Sequence, residues 1–320
     1  MRTFLIAISA VLAVAGCKRT NKVNMRGSSK TAPAQPAKCL KIVNGEKTED
    51  FPSVVFVHDG DGGWCTGTFV GHNVLLTATH CIDPRRKDEI YFIDTASVPK
   101  DGDLSDFDSV KAKNIFYDGN PGGDTALAMN QANELMDLAV IIFPDNSAPA
   151  ASAIYPSTPP HKAAKATLVG YGLTDLPNIK NPGRAGIKRV GQNQVVYSSP
   201  TFLQEMNLDA KMSGVLAVLG NPEDGAGSPS ESLASSGDSG GPLFIDNQLA
   251  GVASWVDWDI DGQDEPHSGI TVYTNLNSSA SKALIEQART GGAVFAAPAA
   301  NGAAQTTVGG GTLNAQAECQ

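Results

Sequence analysis

The sequence predicts an all-β fold, and three observations support this prediction. Only 6% of the 320 residues are aromatic, whereas glycine (33) and proline (19) are abundant, a composition that favours short strands joined by turns. The apolar runs are short, as at 53–57, 67–70 and 138–143. The segment 243–253 has two apolar stretches around the polar turn Asp246–Asn247, which predicts a β-hairpin. A hydrophobic fraction of 41% suffices for one large or two small cores.

The amino-terminal 41 residues are typical of export. Arg2 precedes an apolar run of about a dozen residues, which is too short to span a bilayer of ~30 Å and is typical of a signal peptide. The run ends at Val14-Ala15-Gly16-Cys17, which resembles a bacterial lipobox. Residues 1–17 are therefore either a lipoprotein signal with lipidation at Cys17 or an ordinary signal peptide with Cys17 nearby. We expect an outer-membrane lipoprotein, or a secreted or periplasmic protein, of a bacterium.

Residues 18–41 carry lysine and arginine without any acidic residue, which predicts an extended tether or propeptide. This tether either binds anionic lipid headgroups or is a solvated linker that happens to be basic. The whole chain has a net charge of −9, which argues against a nucleic-acid partner.

The most informative motif is Gly237-Asp238-Ser239-Gly240-Gly241-Pro242. A serine hydroxyl needs a neighbouring base and donors for the oxyanion that it creates, and flanking glycines let bare N–H groups converge. The motif also fits G-x-S-x-G of α/β-hydrolase esterases, which would require a helix after Ser239 and a later histidine such as His267. The hairpin that follows Ser239 argues against this alternative.

Four other segments and their order resemble the chymotrypsin/trypsin family of serine endopeptidases. They are Ile42-Val43-Asn44-Gly45, Leu76-Thr77-Ala78-Thr79-His80-Cys81, Asp137-Leu138-Ala139-Val140 and Ser254-Trp255, within the range 42–289. This resemblance implies two antiparallel six-stranded β-barrels (chymotrypsin-like) with a C-terminal helix, at about 42–150, 151–277 and 279–289. The peptidase domain would then be 42–290, followed by an Ala/Gly-rich tail at 291–320.

The resemblance also implies a role for each site residue. Ser239 attacks the peptide carbonyl, His80 is the general base, Asp137 orients His80, and the amides of Gly237 and Ser239 stabilise the oxyanion. From the residues alone, Asp137 could instead cap a strand, and Glu134 is its near competitor. The reaction needs no cofactor and takes protein or peptide substrates. The alternative is a catalytically silent homologue that acts as a cell-surface binding module.

Activation and specificity follow from the same resemblance. Cleavage between Lys41 and Ile42 frees an amino group that pairs with Asp238 and assembles the oxyanion hole. The pocket floor falls at Leu233, where an apolar side chain cannot bind a lysine or arginine. The pocket walls, which predict a preference for small aliphatic residues before the scissile bond, are Ser254, Trp255, Val256 and Thr271. Another, trypsin-like protease is then needed for activation.

Five cysteines leave one without a partner in an exported chain. By resemblance, Cys65 pairs with Cys81, and if Cys17 is lipidated, Cys39 and Cys319 are left as a candidate pair. Acidic clusters at 101–108 and at Asp257, Asp259 and Asp261 are weak calcium candidates, and a solvated acidic loop or rim without a metal is the favoured explanation of each.

Overall fold

A computed structural model of the chain describes residues 42, 45–83, 85–86, 89–98, 104–119, 131, 134–156, 160, 163–173, 185–196, 213–220, 231–257 and 269–297. They all fall within one compact unit, Lys38–Gln320. The predicted signal peptide, lipobox, tether and C-terminal tail beyond residue 297 lie outside the described residues, as do Cys17, Cys39, Lys41 and Cys319.

The described residues form fourteen strands and one α-helix. The strands are β1 (Glu46–Lys47), β2 (Val54–His58), β3 (Trp64–Phe69), β4 (Val74–Thr77), β5 (Tyr91–Ile93), β6 (Val110–Lys111), β7 (Asn114–Tyr117), β8 (Ala139–Ile142), β9 (Lys165–Gly170), β10 (Arg189–Val196), β11 (Val215–Gly220), β12 (Pro242–Ile245), β13 (Gln248–Asp257) and β14 (Gly269–Asn275). A single 3₁₀ turn, Thr79–Cys81, follows β4. The helix α1 is Ser279–Thr290. The all-β prediction is confirmed.

The second half of the chain forms a closed antiparallel barrel. Its six strands pair in the cyclic order β9, β10, β11, β14, β13, β12 and back to β9. Closure pairs each of the six strands with two neighbours, and the enclosed side chains, among them Leu168, Leu216, Leu243 and Tyr273, form one buried cluster. The short strand β1 pairs with the first two residues of β10, so residues 46–47 join the second sheet and not the first.

The first half forms an open sheet. Its strands pair in the order β6, β5, β2, β3, β4, β8, β7, so the first sheet is a curved half-barrel of seven strands. No pairing among the described residues joins its two edges. The barrel expected at about 42–150 is therefore present only as a half-barrel, whereas the six-stranded closed barrel of the second half and the antiparallel pairing agree with the predicted architecture.

The hairpin after Ser239 is formed as predicted. Strands β12 and β13 pair with Ile245 opposite Gln248, and the two turn residues have positive φ, 50° at Asp246 and 59° at Asn247. Two left-handed residues in a two-residue loop are the pattern of a type I′ turn, which asparagine and aspartate tolerate best. A strand after the serine excludes the α/β-hydrolase elbow, whose serine is followed by a helix.

Helix α1 packs against the first sheet, although it follows the second in sequence. Its buried residues Leu284, Ile285 and Ala288 join the cluster that contains Val140 and Ile142 of β8. The hydroxyl of Ser278 caps the helix by accepting the N–H of Ser281 at 3.1 Å. Among the described residues, no helix is long and apolar enough to cross a membrane.

Candidate active site

His80 and Asp137 are brought together by the pairing of β4 with β8. The register places Thr77 opposite Ala139, so the residues that follow β4 and those that precede β8 lie side by side. The Nδ1 atom of His80 lies 2.9 Å from Oδ2 of Asp137, and the backbone N–H of His80 donates to Oδ1 at 3.0 Å. Both carboxylate oxygens of Asp137 therefore hold the 3₁₀ turn that carries the imidazole.

A third donor reaches Asp137 from the opposite barrel. The hydroxyl of Ser254, on β13, donates to Oδ2 of Asp137 at 2.5 Å. Burial raises the pKa of Asp137, but the hydrogen bonds from His80 and Ser254 and the charge of His80 outweigh burial and lower that pKa below its ordinary value. Asp137 is thus held as a carboxylate. Sequence reasoning missed this contact because the partners are 117 residues apart.

The competitor Glu134 has a different role. Its carboxylate accepts the N–H groups of Ser279 and Ala280 at 3.1 and 3.2 Å and the hydroxyl of Ser279 at 2.6 Å. These are the first residues of α1, so Glu134 stabilises the helix N-terminus, where a negative charge is favourable.

Ser239 and His80 line one cavity of about 440 Å³. Its other walls include Trp64, His58, Asp59 and Asp83. The imidazole Nδ1 is occupied by Asp137, which leaves Nε2 for a proton from the serine. No hydrogen bond joins Ser239 and His80 in this structure, and such bonds are often long before substrate binds.

The loop that carries Ser239 is held from the first sheet by Thr66. The N–H of Thr66 donates to the carbonyl of Ser239 at 2.8 Å, and its hydroxyl donates to the carbonyl of Gly237 at 3.0 Å. Gly237 has φ 93°, and a Cβ there would lie 2.5 Å from Nε1 of Trp64. Only glycine fits this position. The N–H groups of Gly237 and Ser239 donate to no acceptor in the described part of the chain, as oxyanion donors require.

Asp238 is fully buried, and its carboxylate accepts the N–H of Gly172 at 2.7 Å and that of Ser235 at 2.8 Å. Burial raises the pKa of Asp238 to about 7, although both hydrogen bonds and the charge of Arg189 lower it. The side chain of Ile42 is also buried, with 2% exposure, in the cluster of the closed barrel. Lys41 is outside the described residues.

The predicted pocket residues lie on adjoining elements. Val256 of β13 pairs with Thr271 of β14, and Trp255 pairs with Val272. Leu233 is completely buried, and the Oγ1 atom of Thr271 accepts the N–H of the next residue, Ala234, at 3.0 Å. The side chain of Asp257 and residues 221–230 and 258–268, which include Asp259 and Asp261, lie outside the described residues.

One group has metal-ligand geometry within the described ranges. Ligand atoms of Cys65, His80 and Cys81 lie within 4.8 Å of one another. However, Cys65 and Cys81 form a disulfide, as predicted, so their sulfurs are not thiolates and the group does not suit a metal.

A closed β-barrel, a curved half-barrel and a histidine–aspartate pair beside a serine define a protein of the chymotrypsin fold with a serine-hydrolase type of site. The Trypsin family model matches residues 42–283, so the chain belongs to the trypsin family of serine proteases.

Relatives and solved structures agree with this assignment. The chain is 26% identical over 208 residues to the snake venom serine protease NaSP of Naja atra, covering 64% of this chain and 65% of that protein's length. It is 27% identical over 222 residues to Hypodermin-A of Hypoderma lineatum, covering 67% and 77%. The fold is shared with the scabies mite inactivated protease paralogue S-D1, with a TM-score of 0.56 and 18% identity over 79% of this chain and 99% of that chain. It is also shared with the VesB protease of Vibrio cholerae, with a TM-score of 0.52 and 19% identity over 78% of this chain and 68% of that chain.

Proposed function

We propose that this protein is a serine endopeptidase that hydrolyses peptide bonds through an acyl-enzyme. Ser239 is the nucleophile, His80 transfers the proton, and Asp137 orients His80 and stabilises the imidazolium. The observation that carries the proposal is the 2.9 Å contact of Asp137 with His80 Nδ1, in a cavity that Ser239 also lines. The free amides of Gly237 and Ser239 supply the oxyanion donors.

The proposal includes activation by cleavage between Lys41 and Ile42. The supporting observations are the buried Asp238 carboxylate, which accepts two N–H groups, and the burial of Ile42 in the same barrel. A new amino group at Ile42 would provide a cation for this carboxylate. Pairing would fix the Gly237–Ser239 loop and so complete the oxyanion hole.

A fluorophosphonate probe tests both statements. We expect no labelling of the intact chain, labelling after a trypsin-like protease cuts at Lys41, and no labelling of Ser239→Ala treated in the same way. A Lys41→Gln variant, which resists the cut, is the control for activation. A cut wild-type protein that remains unlabelled and cleaves no peptide would overturn the proposal in favour of a silent binding module.

Specificity belongs to the same proposal. Leu233 provides no charge for a basic side chain, and Val256 opposite Thr271 narrows the pocket, which favours small aliphatic residues before the scissile bond. A peptide library should give alanine or valine at that position. Val256→Gly should extend the preference to larger residues, whereas Thr271→Ser, which keeps the hydroxyl bonded to Ala234, should change it less. Preferred cleavage after lysine or arginine would contradict this assignment.

The Cys65–Cys81 disulfide is typical of exported proteins. We further propose that Cys17 carries a lipid anchor and that a Cys39–Cys319 disulfide keeps the tether attached after cleavage. Membrane fractions of the activated protein should release the catalytic domain only with reductant. Equal release with and without reductant would reject the bond.

A further inference from the structure

A second carboxylate, Asp118, lies directly behind the histidine–aspartate pair. It follows β7, and its Oδ1 accepts the N–H of Leu138 at 2.8 Å and lies 3.5 Å from the hydroxyl of Thr79. Its own N–H donates to the carbonyl of Leu138 at 3.1 Å. Thr79 directly precedes His80, and Leu138 directly follows Asp137. One side chain therefore contacts a neighbour of each member of the pair.

The hydrogen bonds around Asp118 form a small closed network. The hydroxyl of Thr79 donates to the carbonyl of Leu138 at 2.8 Å, so Thr79 and Leu138 are joined to each other as well as to Asp118. The second carboxylate oxygen, Oδ2, is shut off from solvent and has no hydrogen-bond partner among the described residues. A buried oxygen without a hydrogen-bond partner costs free energy and needs an explanation, and a functional role at the candidate active site is one.

We propose that Asp118 is a positioning residue for the catalytic pair: it fixes the segments that carry His80 and Asp137 relative to each other, and its charge favours the imidazolium formed during catalysis. This inference rests on the proposed endopeptidase function. Asp118 is thereby a fourth residue behind the proposed triad, and it does not contact substrate.

The charge on Asp118 changes near pH 6. Burial raises the pKa of Asp118 to about 6; the Leu138 hydrogen bond lowers it, and the charge of Asp137 raises it further. Helix α1 also packs against β7, and none of its charged side chains, Lys282, Glu286 and Arg289, pairs with Asp118. Above the lowered pKa of Asp137 and below about pH 6 the two groups thus carry one negative charge, and above about pH 6 they carry two.

Two substitutions separate the charge of Asp118 from its hydrogen bonds. Asp118→Asn keeps the Oδ1 acceptor and removes the charge, so the acid limb of the kcat/KM profile should move to lower pH by about half a unit, less than for charges in direct contact. Asp118→Ala also removes the acceptor, so kcat should fall about tenfold with KM unchanged, because the pair is misaligned. Asp246→Asn, in the exposed hairpin turn, is the matched control.

A second readout does not depend on turnover. In a Ser239→Ala background, the NMR signal of the proton between His80 Nδ1 and Asp137 can be followed against pH in the full chain. We expect its titration midpoint to move to lower pH in Asp118→Asn and to stay unchanged in Asp246→Asn. This measurement decides whether the charge of Asp118 acts on His80 even if Asp118→Ala fails to fold.

The outcomes are distinguishable. If wild-type protein cleaves peptides, NMR and kcat/KM titrations of Asp118→Asn that coincide with those of the wild type overturn the effect of the charge. An unchanged kcat in Asp118→Ala overturns the positioning role of the hydrogen bonds. If the cleaved wild-type protein is inactive towards peptides and the fluorophosphonate, the proposed function fails, while the NMR titration still reports whether Asp118 acts on His80.

Discussion

Asp137 is the residue on which the site's geometry depends, because three donors meet its carboxylate. Two of them come from the turn of His80, and the third, Ser254, comes from the closed barrel. A buried carboxylate with several donors is stabilised in its charged form, since each hydrogen bond compensates for lost solvation. The contact from Ser254 therefore contributes to the charge state of Asp137 as well as to its position.

Replacing Ser254 by alanine should raise the pKa of Asp137, because one of the bonds that lowers it is lost. A lowered pKa stabilises the fold above the unfolded value near 3.9, and this stabilisation is lost as pH falls through the folded pKa. The variant should lose about 1.5–3 kcal/mol of unfolding free energy at pH 7, as for a hydrogen bond to a charged group. Its acid unfolding should also begin at higher pH.

Urea unfolding at several pH values measures both effects. Ser147→Ala is a matched control, because the Ser147 hydroxyl makes a hydrogen bond of 2.7 Å to the carbonyl of Pro144, away from the site. Unchanged acid unfolding in Ser254→Ala would show that Asp137 does not need this donor.

The pKa of Asp238, about 7 in the intact chain, predicts an unusual pH dependence. A raised carboxyl pKa makes the native state bind a proton that the unfolded state releases, so the contribution of Asp238 to stability falls as pH rises from about 4 to about 7. In a Lys41→Gln background, the stability of Asp238→Asn relative to the parent should therefore rise between about pH 4 and about pH 8. The amide keeps only one of the two N–H acceptors, and this loss is the same at every pH.

Cleavage after Lys41 should reverse this effect of pH on the stability difference between the two proteins. With Lys41 present and cut, wild-type Asp238 gains an ammonium partner, whereas Asp238→Asn should stay folded and almost inactive. Denaturant midpoints and fluorophosphonate labelling measure the two halves of this prediction. An intact Asp238→Asn chain whose stability relative to its parent does not rise from about pH 4 to about pH 8 would contradict it.

At the scale of elements, the pairing of neighbouring strands sets the positions of the site residues, which lie just before or just after those strands. The β4–β8 register sets the distance between His80 and Asp137, and the β12–β13 hairpin fixes the chain after Ser239. Helix α1 supports β7 and β8 from outside, with caps from Ser278 and Glu134 at its first turn. None of the functional side chains lies on α1 itself.

Ser278→Ala should therefore lower the stability of the protein by about 1 kcal/mol, the usual cost of losing an N-cap, with little effect on peptide cleavage. Ser278→Asp, which restores a cap acceptor, should recover the stability. Thermal unfolding and kcat/KM for the three proteins are the measurements. A loss of activity larger than the loss of folded protein would show that α1 acts on the site directly.

At the scale of the molecule, the two sheets meet beside the active site. Tyr171, which follows β9 of the closed barrel, donates its hydroxyl to the carbonyl of Thr95 at 2.5 Å and contacts that of Val54 at 3.3 Å, both belonging to the first half. Its N–H donates to the hydroxyl of Thr66 at 3.1 Å. Tyr171 and Thr66 thus join the half that carries His80 to the half that carries Ser239.

Tyr171→Phe should destabilise the protein by about 1–3 kcal/mol, because a buried carbonyl loses its partner while the ring packing is kept. Tyr117→Phe, on β7, removes a hydroxyl that makes no hydrogen bond in the described structure and should be neutral. Denaturant unfolding compares the two. Equal stability of both variants would mean that the Tyr171 hydroxyl does not help to join the two halves.

The sequence by itself determined the features that depend on local chemistry. Two apolar stretches around the Asp246–Asn247 turn predicted the hairpin, and the cap and apolar spacing predicted α1 to within one residue. Cysteine positions beside family motifs predicted the Cys65–Cys81 bond. The resemblance of the motif around Ser239 and its companion segments predicted the trypsin family, which the family model confirms.

Only the tertiary structure decided which remote groups meet. Strand register brings the hydroxyl of Ser254 to Asp137 and places the carboxylate of Asp118 behind the histidine–aspartate pair. Strand pairing and barrel closure also decide that β1 joins the second sheet and that the first sheet stays open. A shift of one residue in register turns side chains to the other face, so such contacts follow from the whole fold and leave no local pattern in the chain.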